Sequence, residues 1–115
     1  MKINSISNIN FGVRYTPKMT ELLEKSRAAA EIKGKDELDE WDKIKKDIDN
    51  IAPDSFTLFT KLWKENNTMD IKVENPETLK FSLLRLKIGE PLDLENMKKI
   101  LIGLNVKKNE YYNQK

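Results

Sequence analysis

The side chains that could do chemistry are few here, because the 115 residues include no cysteine and no histidine. Thiolate nucleophiles, imidazole bases, disulfides and zinc sites of the usual Cys/His type are therefore excluded. Asp, Glu, Lys, Tyr and Ser remain as candidate catalytic groups, and none of them falls into a recognised catalytic spacing. The four glycines form no phosphate-binding loop. We expect a protein that is not an enzyme and that needs no cofactor.

The densest group of carboxylates comes from the residues Asp36, Glu37, Asp39, Glu40 and Asp42. A calcium loop of the EF-hand type needs a glycine at its sharp turn, and this segment has none. Carboxylates at the amino end of a helix interact favourably with the helix dipole, which explains the group without a metal. We predict no metal site.

One surface of the predicted strands is a candidate binding site. With Leu58 facing the core, a period of two sends Phe59 and Trp63 to the opposite face, where the third strand adds Leu84 and Leu86. If the last helix covers this second face, all four residues belong to the core. If it does not, they form an apolar patch that binds a protein partner or a second copy of the chain.

The same strands also carry cations next to aromatic rings, a mixture typical of proteins that bind single-stranded nucleic acid. The residues concerned are Lys61, Lys72, Lys80 and Arg85, beside Phe59 and Trp63. The net charge of only +2 and the small share of arginine argue against a nucleic-acid partner. The sequence therefore favours a protein-interaction or regulatory module, with weak binding of single strands as the alternative.

Two helices are predicted ahead of these strands. Thr16 and Pro17 form a helix start, and apolar residues at spacings of three and four continue the helix to about residue 33. Gly34 fits a helix C-cap, and Asp36 can cap a second helix that places Trp41 on its core face. A connection this short makes the two helices antiparallel neighbours.

The period changes after Pro53. Residues 56–63 and 69–73 read as strands joined by a two-residue turn at Asn66 and Asn67, which would place Leu62 opposite Ile71. Residues 79–88 read as a third strand, with a helix as the competing interpretation. A last helix begins after Asp93.

Together these elements predict an α+β fold with an N-terminal antiparallel helical hairpin, a three-stranded antiparallel β-meander and a C-terminal helix. Residues 1–106 form one compact domain whose first 15 residues are an extended arm, and residues 107–115 form a polar tail. No apolar stretch is long enough to cross a bilayer, and the amino terminus does not resemble a signal peptide. We expect a cytoplasmic protein without membrane contact.

Overall fold

The computed structural model describes residues 12–51 and 55–113. The elements along the chain are β1 (Arg14–Tyr15), α1 (Pro17–Lys33), α2 (Lys35–Asp49), β2 (Thr57–Trp63), β3 (Thr68–Glu74), β4 (Lys80–Lys87) and α3 (Leu94–Asn113). The predicted α+β fold is confirmed, as is the strand interpretation of residues 79–88. Most of the predicted arm, residues 1–11, lies outside the described residues.

The helical hairpin begins and turns where its sequence signals indicate. The Thr16 hydroxyl accepts a hydrogen bond from the backbone N–H of Met19 at 3.3 Å, which satisfies a free donor of the first turn of α1. Gly34, with φ +136°, ends α1, and α2 starts at the next residue. Asp36 therefore lies inside the first turn of α2 and is not its cap, which corrects the prediction.

The sheet has four strands in the order β1-β2-β3-β4. Strands β2 to β4 form the predicted antiparallel meander, whereas β1 pairs in parallel with the start of β2 and makes the sheet mixed. The predicted hairpin register is wrong by two residues, since Leu62 pairs with Met69 and not with Ile71. A 3-10 turn at Lys64–Asn66, followed by Asn67 at φ 56°, makes the connection four residues long. A shift of two preserves which side chains share a face.

Strand β4 contains a β-bulge that no sequence signal indicates. Lys72 pairs with Ser82 and its neighbour Ile71 pairs with Leu84, so Leu83 is an extra residue on β4. A bulge reverses the alternation of side chains along its strand. Leu84 and Leu86 consequently lie on the same side as Ile71, on the core face.

Helices α1 and α3 pack against this one face of the sheet, and α2 packs against these two helices. On α3, Gly103 faces the side chain of Leu83, and the Lys107 ammonium lies 4.3 Å from the ring centre of Phe81. Helix α1 lies against β2 on the same side, where Leu22 and Leu62 line one groove. The sequence left open whether the last helix covers the opposite face. It does not, and the bulge collects the apolar residues of β4 on the side where α3 lies.

Helix α3 is longer than predicted and includes most of the expected polar tail. It continues to Asn113, and Tyr111 is buried with its ring 5.6 Å from that of Phe56 in an edge-to-face contact. The two tyrosines of this otherwise polar segment were not enough to predict that the helix continues and that Tyr111 is buried. Burial of an aromatic ring offsets the low hydrophobicity of the segment around it.

Candidate binding face of the sheet

No described helix lies on the other side of the sheet, which we call the open face. Alternation of side chains along each strand and the observed register place thirteen residues on it. Neighbouring rows run across the sheet from β2 through β3 to β4, and β1 adds one residue beside Thr57. The members are Arg14, Thr57, Phe59, Lys61, Trp63, Thr68, Asp70, Lys72, Glu74, Lys80, Ser82, Arg85 and Lys87.

The open face is strongly basic although the protein is nearly neutral. Six of the 21 basic residues lie on it, but only two of the 19 acidic residues, Asp70 and Glu74. The rest of the molecule is therefore net acidic. Among the described residues, Lys61, Lys72 and Lys80 form no ion pair. Charge concentrated on one side in this way attracts a polyanion more strongly than the net charge indicates.

Asp70 stands at the centre of the open face and organises its neighbours. Its carboxylate accepts two hydrogen bonds from Arg85, at 2.6 Å and 3.1 Å, and one from the indole N–H of Trp63, at 3.0 Å. The Asp70 side chain is only 5% exposed beneath these groups. The hydrogen bonds from Arg85 hold the pKa of the Asp70 carboxyl below its usual range, opposed by partial loss of hydration. The ion pair thus fixes Trp63 and Arg85 in place.

Both aromatic rings of the open face are partly exposed and lie beside cations. The Lys61 ammonium is 5.0 Å from the ring centre of Trp63, and the Lys80 ammonium is 5.9 Å from that of Phe59. The rings stand on one strand four residues apart, which corresponds to about 13 Å. Rings with adjacent ammonium groups can stack on planar bases while the cations contact phosphates.

The structure brings together one of the two predicted sets of site residues and divides the other. Lys61, Lys72, Lys80 and Arg85 all lie on the open face with the two rings. In contrast, Leu84 and Leu86 of the predicted apolar patch point to the opposite side, and Leu86 is 6% exposed. Phe59 and Trp63 therefore have no leucines beside them.

Sequence reasoning missed Arg14 as a member of this surface and did not foresee the central role of Asp70. Arg14 reaches the open face only through the parallel pairing of β1 with β2, and its sequence neighbours do not indicate that pairing. Asp70 appeared in the sequence as an acidic interruption of a basic surface. Its spacing from Arg85 depends on the hairpin register and the bulge, neither of which has a reliable sequence signal.

A second concave region lies between the two helices of the hairpin. This cavity of about 350 Å3 has an apolar floor that includes Leu23 and Trp41. The charges at its rim are matched, since Arg27 makes a two-pronged ion pair with Asp42 at 2.8 Å and Lys45 binds Asp49. Glu24 also lines the cavity and forms no ion pair among the described residues, so a single carboxylate is the only unmatched charge of the described rim.

Residues 12–51 and 55–113 contain no candidate metal site and no helix that could span a membrane. Within these ranges, no three potential metal-ligating side chains come together, and the carboxylates between Asp36 and Asp42 are no exception. None of the described helices combines the length and the hydrophobicity that a transmembrane segment requires. A comparison of the chain with protein-family models, curated proteins and solved structures gave no match.

Proposed function

We propose that this protein is a non-enzymatic binding module that holds single-stranded nucleic acid on the open face. The observation that carries the proposal is a concentration of lysines around two partly exposed rings on the open face, with no ion pair to these lysines among the described residues. Lysine ammonium groups bind phosphates without regard to sequence, and aromatic rings stack on bases of any type. The cytoplasmic location expected from the sequence would give the protein access to RNA.

The first interpretation, a protein-interaction module acting through an apolar sheet face, has less support. Only Phe59 and Trp63 are large and apolar on the open face, and a typical protein-binding patch is depleted in lysine at its centre. An acidic protein is still a possible ligand for a basic surface, so the test must separate an acidic polypeptide from a nucleic acid.

The test measures binding of fluorescein-labelled oligo(U) and oligo(dT) of about ten nucleotides by fluorescence anisotropy. Replacing Phe59 and Trp63 together with Ser should weaken binding at least tenfold, because each stacked base contributes roughly 1–3 kcal/mol. Lys72→Gln should weaken binding and reduce the slope of log Kd against log salt by about 0.7. Lys99→Gln on α3, an exposed lysine outside the open face, is the control and should bind like the wild type.

Three outcomes would overturn the proposal. The first is no oligonucleotide binding at low salt, and the second is binding that survives loss of both rings. The third is equal affinity for poly-glutamate of the same charge, which would assign the open face to an acidic protein partner.

A further inference from the structure

We propose that the outer edge of β2 is a second binding site, which adds an extended peptide strand whose apolar side chain is flanked by carboxylates. This inference is independent of nucleic-acid binding on the open face. The backbone of an edge strand carries unpaired donors and acceptors, and an added peptide strand can satisfy them.

The free part of the edge follows from the short length of β1. Strand β1 covers only Thr57 and Leu58 of the seven residues of β2. The Leu58 carbonyl accepts a hydrogen bond from the Thr16 N–H, so Leu58 directs its backbone groups away from β3. By alternation, the backbone N–H and C=O groups of Thr60 and Leu62 also point away from β3. No described backbone group forms a hydrogen bond with them on that side.

The other edge of the sheet, formed by β4, is protected against the addition of a strand, unlike the free stretch of β2. On β4 the bulge at Leu83 interrupts a regular edge, and the backbone N–H of Lys87 donates to the Glu90 side chain at 3.1 Å. Bulges, capped donors and charged residues are the devices by which proteins prevent strand addition. The exposed stretch of β2 has one charged residue, Lys61, whose side chain lies on the open face, and within this stretch the regular pairing shows no bulge.

An apolar groove lies directly beside the free stretch of β2, and we call it the edge groove. It encloses about 250 Å3 between α1 and the sheet, and its floor includes Leu22, Leu62, Met69 and Ile88. Leu62 is 46% exposed and Ile88 is 36% exposed, which is high for large apolar side chains. In a strand paired with β2, every second side chain would point into this groove.

The charges at the rim of the edge groove indicate the chemistry of the peptide. Lys18 and Lys25 of α1 line it, with Glu21 between them. Neither lysine forms an ion pair among the described residues. Lys18 and Lys25 are seven positions apart on the helix, which corresponds to about 10 Å along its axis. This spacing is close to the roughly 13 Å between residues 1 and 5 of a strand. A pentapeptide with a central leucine and acidic ends matches this arrangement.

The test uses the blocked peptide Glu-Thr-Leu-Thr-Glu and follows backbone amide resonances of the 15N-labelled protein. We expect saturable shifts at Thr60 and Leu62, with at least tenfold weaker binding of the peptide Lys-Thr-Leu-Thr-Lys. A Glu-Thr-Leu-Thr-Glu peptide methylated on the leucine nitrogen should not bind, because strand pairing needs that N–H. The variant with Lys18→Glu and Lys25→Glu should reverse the preference between the two peptides.

Leu62→Pro provides a test on the protein side. It removes an N–H that points out of the sheet, so circular dichroism should report a folded protein while peptide binding is lost. Lack of a saturable shift, equal binding of the acidic and basic peptides, or binding of the methylated peptide would overturn the inference. Shifts confined to open-face residues such as Ser82 would also overturn it, and would leave the proposed nucleic-acid site to be judged by its own assay.

Discussion

The behaviour of single residues on the open face depends on Asp70. Its buried carboxylate accepts two charge-assisted hydrogen bonds from Arg85 and one neutral hydrogen bond from Trp63. This arrangement is stable only while the carboxylate is ionised and both donors stay in place. Trp63 and Arg85 are partly or largely exposed, yet both are held by this one group. Trp63 and Arg85 are therefore preorganised, which would reduce the entropy lost if the proposed ligand binds the open face.

Protonation of Asp70 should destabilise the fold in acid. Because its pKa is lowered in the folded protein, its contribution is complete above about pH 4 and is lost as the pH falls through the folded pKa. Urea unfolding between pH 2 and 5 should show a smaller loss of stability for Asp70→Asn than for the wild type. Asp42→Asn is the control, since that carboxyl also has a lowered pKa, beside Arg27, but is far more exposed. An equal effect of both substitutions would contradict the role of burial at Asp70.

Thr68 shows the opposite situation, a polar atom without a partner. Its hydroxyl oxygen is buried and makes no hydrogen bond within the described part of the chain. Thr68→Val keeps the shape and removes the desolvated hydroxyl, so we expect the free energy of unfolding to rise by about 1 kcal/mol. Urea denaturation would measure the change. A loss of 1 kcal/mol would mean that the hydroxyl has a partner such as an ordered water.

At the scale of elements, the connections between helices and strands place stricter requirements on residue type than the helices and strands themselves. The helices and the meander have clear sequence periods. In contrast, the chain can pass the end of α2 on its way into β1 only because of the residue at one position. Gly12 has φ +98°, and the backbone N–H of Val13 donates to the Asp49 carbonyl at 3.1 Å. This contact, together with the Tyr15 hydroxyl bound to the Asp49 carboxylate, fastens β1 to the helical hairpin.

Gly12→Ala should be strongly destabilising for two reasons. The backbone conformation is unfavourable for any residue with a Cβ, and that Cβ would collide with the Asp49 carbonyl oxygen. Gly89→Ala is the matched control, because Gly89 has φ +94° but open space around the added carbon. We expect about 1–3 kcal/mol of destabilisation at Gly89 and a clearly larger loss at Gly12 in thermal or urea unfolding. Equal losses would show that the close approach to Asp49 relaxes without cost.

At the scale of the whole molecule, a two-layer arrangement leaves the sheet with one covered and one open face. The covered face holds the core, and the segment before α3 closes one end of it. Leu92 in that segment receives the indole N–H of Trp41 at 2.9 Å and donates its own N–H to the Ser26 hydroxyl at 2.8 Å. The helical hairpin and the C-terminal part of the chain are therefore joined by buried hydrogen bonds.

Trp41 should prove one of the most sensitive positions of the fold. It is 2% exposed, so Trp41→Ala removes a large buried side chain and should cost about 3–5 kcal/mol. Trp41→Phe retains most of the ring but leaves the Leu92 carbonyl without its donor, at a cost of about 1–3 kcal/mol. Urea denaturation of both variants would separate packing from hydrogen bonding. A loss below 1 kcal/mol for Trp41→Ala would be inconsistent with the buried position.

The sequence by itself determined the helical hairpin, the three strands of the meander and the face of β2 on which Phe59 and Trp63 lie. These features follow from local periods and caps, such as Thr16 before Pro17, and a register error of two residues does not change them. Tertiary structure alone decided the rest. The bulge at Leu83, the parallel pairing of β1 and the burial of Tyr111 all depend on contacts between residues distant along the chain. Because these contacts collect the helices on one side, they also decided that no described helix covers the basic face.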